Sequence, residues 1–160
     1  MPVTPEPGKF RILRSNRVAL ETRHTPDKES FVKVFVSGAA GFLGSHLADA
    51  FIRTGHEVSG CDNMIGGDLN NLPEGIRFEE ADCCDVDAMK RLTVGTDLVY
   101  HCAAVATEGL SVFSPALIAK HVYENTASLL AAAASNKVKR FVFCSSMARY
   151  GVGKLSLIHI

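Results

Sequence analysis

From residue 31 onwards, two kinds of apolar pattern alternate along the chain. Short runs rich in β-branched and aromatic residues predict buried strands at 31–37, 57–61, 76–80, 97–103 and 140–145. Apolar residues at helical spacing predict helices between them, at 42–54, 86–92 and 117–135. Strands that alternate with helices favour a parallel sheet, because crossover helices cover both faces of such a sheet. The pattern therefore predicts a doubly wound α/β fold.

Residues 1–30 do not follow this pattern. They show no steady hydrophobic period, three prolines fall within the first seven positions, and no apolar block of the kind found in a secretory signal is present. We expect a disordered or loosely attached extension, or translated sequence that is not native to the domain. The domain itself is expected over 31–154.

A glycine-rich turn, Gly-Ala-Ala-Gly-Phe-Leu-Gly at 38–44, joins the first predicted strand to the first predicted helix. Gly38 permits a tight turn, Gly41 removes a side chain where a pyrophosphate must approach the backbone, and Gly44 lets the helix pack close to the strand. The start of the helix adds unpaired N–H groups and a positive dipole. The pattern indicates a dinucleotide site; the alternative is a glycine-rich turn without a ligand.

Asp62 closes the second predicted strand, 18 residues after Gly44. A carboxylate at this position can accept hydrogen bonds from both ribose hydroxyls of an adenosine, and it would repel the 2′-phosphate of NADP. No arginine follows closely, as an NADP site usually requires. The sequence therefore favours NAD as the cofactor; the alternative for Asp62 is a solvated turn residue.

The composition narrows the set of partners. The 17 basic and 17 acidic side chains leave no basic excess for a nucleic acid or a membrane surface, so neither partner is expected. No apolar run approaches the roughly 18 residues that a membrane-spanning helix needs. The five cysteines are an odd number without the paired spacing of a zinc site, so no metal is expected and a reducing, cytoplasmic setting is favoured.

Several short segments, in this order and spacing, resemble one family. They are the run at 37–44, Asp62-Asn63, Ala81-Asp82, the run at 97–104, and the run at 140–146 followed by Tyr150-Gly151. Together they resemble the extended short-chain dehydrogenases, specifically the NAD-dependent epimerase/dehydratase group that includes the UDP-glucose 4-epimerases. The resemblance implies a Rossmann-type fold, NAD as cofactor, and transient hydride transfer from a nucleotide-sugar substrate to NAD.

The resemblance assigns roles to residues along the predicted cofactor site. Asp82 would hydrogen-bond the adenine amino group, the alternative being a helix N-cap or turn aspartate. Ala103 and Ala104 would leave room for the ribose and nicotinamide, the alternative being close packing without a ligand. Asn125 would prop the active-site backbone, the alternative being a polar residue on the face of the long helix. The remaining predicted cofactor contacts are Phe42, Leu43, Asn63, Cys83 and Ser145.

Ser145 and Ser146 end the fifth predicted strand, and catalysis in a parallel sheet gathers at the carboxyl ends of strands. Ser146 matches the family's catalytic Ser/Thr, whose hydroxyl would hydrogen-bond the reacting sugar oxygen and orient it for proton transfer. The alternative is a polar pair that ends a strand. His101 lies within an apolar strand, where a structural role is favoured over that of a catalytic base.

The family's catalytic Tyr-x-x-x-Lys pair is not found at its usual spacing. Tyr150 and Lys154 have the right separation, but Tyr150 follows Ser146 too closely, and the two glycines between them disfavour a helix. We therefore expect a fold truncated after its fifth strand, with the substrate lobe absent. Residues 155–160 match the translation of a transposase library adapter, which indicates a non-native tail; a genuine short apolar tail is the alternative.

Three functions remain open on the sequence. The favoured one is the NAD-binding portion of a nucleotide-sugar epimerase or dehydratase. The full-length parent is a candidate to form a homodimer. This chain alone is expected to bind NAD weakly and to be inactive. A non-catalytic NAD(P)-binding regulatory module is the second, since a fold does not determine a function. A short-chain reductase of small carbonyl substrates is the third, which Asp62 disfavours because such reductases more often use NADP.

Overall fold

The computed structural model describes residues 31–146 of the 160-residue chain. The predicted extension at 1–30, the Tyr150 and Lys154 pair and the predicted tail at 155–160 lie outside the described residues. The strands are β1 (Lys33–Ser37), β2 (Glu57–Asp62), β3 (Arg77–Glu80), β4 (Leu98–His101) and β5 (Arg140–Phe143). The helices are α1 (Phe42–Arg53), α2 (Val86–Leu92), α3 (Glu108–Phe113), α4 (Pro115–Ile118) and α5 (Asn125–Ser135).

These strands form one parallel sheet in the order β3-β2-β1-β4-β5. From β1 the chain adds β2 and β3 on one side of the sheet, and then crosses back to add β4 and β5 on the other side. The predicted doubly wound α/β fold is thus confirmed. Ser37, at the end of β1, pairs with Cys61 of β2 on one side and with His101 of β4 on the other. Ligands of such sheets bind at this point, beyond the carboxyl ends of the strands where the strand order reverses.

Two hydrophobic cores cover the two faces of the sheet. Strand β1 contributes to both, because successive side chains of a strand point to opposite faces. Val34 and Val36 pack with Ala48 of α1, whereas Phe35 packs in the other core with Met89 of α2 and Leu129 of α5. The central strand is thus buried on both sides, as the continuous apolar run from Val34 to Val36 predicted.

Four of the predicted strands are too long, that of β3 by a single residue. Strand β1 begins at Lys33, and β4 ends at His101 because its neighbour β1 ends at Ser37, where the glycine turn begins. One more backbone hydrogen bond, from the Cys102 N–H to the Ser37 carbonyl at 3.1 Å, follows the last pair. Strand β5 ends at Phe143 in the same way, and the Cys144 N–H donates to the His101 carbonyl at 3.1 Å. An apolar run does not reveal where its pairing partner stops.

The hydrophobic spacing predicted α1 but not its buried face. Phe42, Leu43 and Ala50 belong to the predicted apolar stripe, yet all three are exposed. The buried residues of the helix are Gly44, Ser45 and Ala48. Small side chains face the sheet because α1 begins immediately after β1 and must pack close to the turn that joins them.

The predicted helix at 117–135 consists of three consecutive segments. Helix α4 is followed by a π-helical turn at Ala119–Glu124, and α5 follows that turn. Such wide turns inside helices often accompany functional sites. The short helix α3 and a 3₁₀ turn at Leu69–Asn71 were not predicted. None of the described helices is long and apolar enough to cross a bilayer.

Candidate functional site

The turn between β1 and α1 is closed by its own backbone. Gly38 has a φ of +71°, in the left-handed region that favours glycine, and its carbonyl accepts the Gly41 N–H at 3.1 Å. A Cβ on Gly38 would lie 2.8 Å from the Ala103 nitrogen, so the turn packs directly against the chain that leaves β4. Both the backbone conformation and this close packing require glycine at Gly38.

Gly41 and Gly44 differ in what a side chain would meet. A Cβ on Gly44 would lie 2.7 Å from the Gly38 carbonyl carbon, so α1 packs against the turn only with glycine at this position. A Cβ on Gly41 would meet a single atom, the Gly38 oxygen, at 3.2 Å. Packing therefore restricts Gly41 much less than Gly44. The missing side chain of Gly41 instead leaves space in the wall of a cleft, as the close approach of a phosphate needs.

Asp62 is buried at the end of β2, with 8% of its surface exposed. Its Oδ2 accepts the Ala40 N–H at 3.1 Å, and its Oδ1 accepts the Met64 N–H at 2.9 Å. The interpretation of Asp62 as a solvated turn residue is therefore wrong, because the surrounding backbone buries and orients the carboxylate. A carboxylate oxygen has more than one lone pair, so each oxygen can still accept a hydrogen bond from a ligand.

A cleft of about 240 Å³ lies along the carboxyl ends of β1, β2 and β4. Its walls contain every predicted cofactor residue except Ser145: Gly38, Gly41, Phe42, Leu43, Gly44, Asp62, Asn63, Asp82, Cys83, Ala103, Ala104 and Asn125. Further wall residues that the sequence analysis missed include Ile65, Gly66, Gly67 and His121. The adjacent glycines after Asp62 were a signal for this loop, whereas nothing in the sequence marked His121. We call this space the first cleft.

The predicted wall residues contribute to the first cleft in different ways. Phe42 and Leu43 are exposed at the start of α1. The Asn63 side chain stabilises the loop after β2, because its Oδ1 accepts the Ile65 N–H at 3.2 Å. The Cys83 side chain is buried in the core, with its Sγ 3.8 Å from that of Cys61. The hydrogen bond with Cys83, together with burial, holds the pKa of the Cys61 thiol well above its usual value.

Asp82 follows β3 and has one carboxylate oxygen engaged in a turn. Its Oδ1 accepts the Cys84 N–H at 2.9 Å, as a turn aspartate does, and the adenine contact stays a prediction for Oδ2. The alternative of a helix N-cap is wrong, because the side chain of Asp85 caps α2. Partial burial raises the pKa of the Asp82 carboxyl, but hydrogen bonds from Cys84 and the nearby His121 and Lys120 outweigh it, so the pKa lies below its usual value.

Asn125 connects the chain that leaves β4 to the π-helical turn. Its side-chain Nδ2 donates to the Ala103 carbonyl at 3.0 Å and to the His121 carbonyl at 2.6 Å. Only 3% of the residue is exposed, so the alternative of a polar residue on the helix surface is wrong. The amide fixes the backbone on which Ala103 and Ala104 stand.

His101 has hydrogen bonds at both ring nitrogens. Its Nδ1 lies 2.7 Å from Ser37 Oγ, and its Nε2 lies 2.8 Å from Thr126 Oγ1. The Thr126 hydroxyl has two acceptor oxygens nearby, the Val122 carbonyl at 2.6 Å and Asn125 Oδ1 at 3.2 Å, and it must donate to one of them. It therefore accepts from His101, which places the imidazole proton on Nε2 and makes Nδ1 the acceptor for Ser37. Burial lowers the pKa of His101 to about 4.

A second cleft of about 650 Å³ adjoins the first and has mainly apolar walls. The two clefts share Ala103 and Ala104, and the second one contains Ser145 and Ser146, both exposed at the end of β5. Ser145, predicted as a cofactor contact, therefore lies beside the catalytic candidate and not in the first cleft. The predicted residues are thus gathered at one edge of the sheet, in two spaces that meet at Ala103 and Ala104.

Two neighbouring cysteines line the second cleft, and one of them, Cys102, also lines the first. The Sγ atoms of Cys102 and Cys144 are 3.6 Å apart, and both residues line the second cleft. Burial, with the neighbouring Cys144, raises the pKa of the Cys102 thiol to about 12. All five cysteines of the chain are free thiols. The Cys102 thiol is therefore a protonated, weakly nucleophilic part of the cleft wall.

The comparisons with known proteins agree with this geometry. A model of the NAD dependent epimerase/dehydratase family matches residues 34–157, more than three quarters of the chain. A UDP-glucose 4-epimerase from Streptomyces lividans is 34% identical over 122 residues, which are 74% of this chain and 37% of that protein. The chain thus spans little more than a third of the length of this relative.

Solved structures give the same result. The UDP-glucose 4-epimerase from Thermotoga maritima, solved with UDP-glucose, superposes with a TM-score of 0.73 at 33% identity over 78% of this chain and 41% of that one. The UDP-glucose 4-epimerase from Thermus thermophilus, solved with NAD, has a TM-score of 0.66 at 32% identity over 70% of this chain and 37% of that one.

Proposed function

Because the chain belongs to the NAD-dependent epimerase/dehydratase family, we propose that it is the NAD-binding portion of an enzyme that converts nucleotide sugars by transient hydride transfer to NAD. One observation carries the proposal: Gly41, whose missing side chain opens the cleft wall, and the buried Asp62 carboxylate belong to one cleft and are joined through the Ala40 N–H. Close access to a backbone and a ribose acceptor are the two features that a dinucleotide requires.

The first cleft fits NAD through the donors and acceptors of its wall. The first backbone hydrogen bond of α1 runs from the Ser45 N–H to the Gly41 carbonyl at 3.0 Å, so the N–H groups of Phe42, Leu43 and Gly44 lie outside the helical ladder. They would donate to the pyrophosphate, with the helix dipole adding to the attraction. Asp62 would accept the ribose hydroxyls, in keeping with NAD and not NADP.

The remaining wall residues would hold the two ends of the cofactor. Asp82 Oδ1 is engaged by the Cys84 N–H, so Oδ2 would accept the adenine amino group. Ala103 and Ala104 would leave room for the ribose and nicotinamide where the two clefts meet. Asn125 would keep their backbone in place through its bond to the Ala103 carbonyl.

Catalysis would take place in the second cleft. Bound NAD supplies the hydride acceptor for the sugar carbon that is oxidised. Ser146 would hydrogen-bond the reacting hydroxyl and orient it for loss of its proton. His101 would not take that proton, because its Nδ1 already accepts from Ser37 and its Nε2 already donates to Thr126. Its role would be to hold β1, β4 and α5 together beside the cleft.

The 160-residue chain alone would bind NAD without turnover. The family's proton acceptor is a tyrosine in a Tyr-x-x-x-Lys pair on a helix, and the sequence holds no such pair at the family's spacing from Ser146. We further propose that the full-length protein acts in the reducing cytoplasm and pairs with a second copy of itself. The odd number of cysteines, of which Cys61 and Cys83 are buried in the core, supports the reducing setting.

The test uses the complete gene product that contains this sequence. It would be incubated with NAD and a panel of UDP-hexoses and UDP-pentoses, and the sugar products would be identified by nuclear magnetic resonance. We expect a change at one sugar carbon, and we expect Ser146→Ala to lower kcat by about 100-fold or more while NAD binding stays unchanged. NAD binding without conversion of any nucleotide sugar would contradict the proposal and favour a regulatory module.

A further inference from the structure

Three potential metal ligands meet at the rim of the first cleft. Asp82 and Cys84 stand on the turn between β3 and α2, and His121 stands on the π-helical turn Ala119–Glu124. Their ligand atoms, a carboxylate oxygen, a thiol sulfur and an imidazole nitrogen, all lie within 4.8 Å of one another. Two segments that are far apart in sequence thus bring three different donor types to one place.

The histidine of this cluster differs from His101, the other buried histidine within residues 31–146. His101 is satisfied at both ring nitrogens, whereas no described residue lies within hydrogen-bonding distance of either ring nitrogen of His121. The His121 side chain is only 7% exposed, and its Nδ1 faces Asp82 Oδ2 at 4.0 Å, too far for a hydrogen bond. Its ring nitrogens are open to solvent at the rim of the first cleft, because no fully buried side-chain nitrogen of the described residues lacks a hydrogen-bond partner. An imidazole nitrogen in this position is free to bind a cation.

The two other potential ligands, Asp82 and Cys84, lie on the turn that faces the π-helical turn of His121. The Cys84 N–H binds Asp82 Oδ1 at 2.9 Å, which leaves Oδ2 towards His121. The Cys84 Sγ lies 3.5 Å from the Lys120 carbonyl, so the thiol reaches across to the π-helical turn that carries His121. Both side chains are partly exposed and can move by the small distance that coordination requires.

We propose that Asp82, Cys84 and His121 bind a Zn²⁺ ion at the rim of the first cleft. Carboxylate, thiolate and imidazole are the three donor types of protein zinc sites, and three protein ligands leave the fourth tetrahedral position to water. Bonds of about 2.0 to 2.3 Å place such donors roughly 3.3 to 3.7 Å apart, so the cluster closes by about 1 Å on binding. The Cys84 thiol releases its proton to solvent as the sulfur–metal bond forms.

Titration of the 160-residue chain with Co²⁺ tests this site, because a thiolate bound to Co²⁺ gives a charge-transfer absorption band. We expect the band in the wild type and its loss in Cys84→Ser, with metal affinity lowered about 100-fold or more. His121→Gln should weaken the affinity as well, and Cys144→Ser is the matched control that keeps the band. No band in the wild type, a band that persists in Cys84→Ser, or one that is lost in Cys144→Ser would each overturn the site.

A second measurement connects the site to the cofactor. Asp82 belongs to both the cluster and the first cleft, so bound Zn²⁺ should raise the Kd for NAD, and NAD should raise the Kd for Zn²⁺ by the same factor. This consequence rests on the proposed function, whereas the Co²⁺ band does not. A band without competition would keep the metal site and contradict the adenine contact of Asp82; competition that survives in Cys84→Ser would contradict the metal site.

Discussion

The Nδ1 of His101 lies 2.7 Å from the Oγ of Ser37, across the boundary between strands β4 and β1. The Ser37 hydroxyl donates to this nitrogen and accepts the Ala103 N–H at 3.4 Å, while the opposite side of the imidazole donates to Thr126 of α5. All the donors in this series of hydrogen bonds therefore point the same way, from Ala103 through Ser37 and His101 to Thr126. A second proton on His101, at Nδ1, would point at the proton of the Ser37 hydroxyl. The arrangement therefore stabilises a neutral imidazole at the edge of both clefts.

Stability should fall as His101 is protonated. Burial lowers its pKa from 6.5 to about 4, so between these values the unfolded chain binds more protons than the folded one. The free energy of unfolding should have its full value above pH 6.5, and it should decrease by on the order of 3 kcal/mol as the pH falls to 4. Denaturant unfolding followed by circular dichroism at several pH values measures this dependence.

His101→Gln is the control for this dependence. Glutamine can still donate to Thr126 and accept from Ser37, but it does not titrate. The variant should be less stable than the wild type at pH 7, and its free energy of unfolding should not decrease between pH 6.5 and 5. Glu79, Asp82 and Asp97 also have lowered pKa values, but their contributions are lost only near and below their unfolded values of 4.5 and 3.8. Equal pH dependence in both proteins would contradict a buried neutral His101.

The glycine turn should separate stability from cofactor binding. Gly44→Ala places a Cβ against the Gly38 carbonyl and should lower the free energy of unfolding by about 2 to 3 kcal/mol. Gly41→Ala meets a single atom at 3.2 Å and should change it by no more than about 1 kcal/mol. Because its methyl group enters the cleft wall, Gly41→Ala should still raise the Kd for NAD by about 10-fold or more. Urea unfolding and calorimetric titration distinguish the two effects.

Asn125 has a matched counterpart away from the clefts. Asn136 Nδ2 donates to the Lys90 carbonyl at 2.7 Å and to Thr93 Oγ1 at 2.8 Å, much as Asn125 donates to Ala103 and His121. Alanine at either position should cost about 1 to 3 kcal/mol, because the buried residues His121 and Thr93 each lose a hydrogen-bond donor. Only Asn125→Ala should also weaken NAD binding. Equal Kd values for NAD in the two variants would rule out a role of Asn125 in positioning the cleft.

Much of the fold could be predicted from the sequence, whereas less of the candidate site could. Periodicity located the strands and helices, and the glycine turn with Asp62 located the first cleft, because these signals are local. The Ser37–His101 bond joins residues 64 positions apart, so no local pattern could indicate it. His121 reached the cleft through the π-helical turn, which shifts the helix phase. The buried face of α1 was missed because small residues, not large ones, pack against the sheet there.

Asp62 should set the choice between the two dinucleotides. At present, two backbone N–H groups donate hydrogen bonds to the Asp62 carboxylate. In Asp62→Asn, the amide NH₂ group would face one of these N–H groups, and that hydrogen bond would be lost. We expect this variant to lower the free energy of unfolding by about 1 to 3 kcal/mol and to reduce the preference for NAD over NADP by about 10-fold or more. Asp85→Asn, at the residue that caps α2 outside the cleft, should leave that preference unchanged. Calorimetric Kd values for both cofactors give the comparison.

Calorimetric titration of the 160-residue chain with NAD tests the central claim most directly. The account predicts saturable binding with one NAD per chain, weaker binding of NADP, and a Kd raised by Gly41→Ala under conditions where circular dichroism shows both proteins folded. Absence of heat from a folded wild-type chain at millimolar NAD, or equal binding of NAD and NADP, would contradict it.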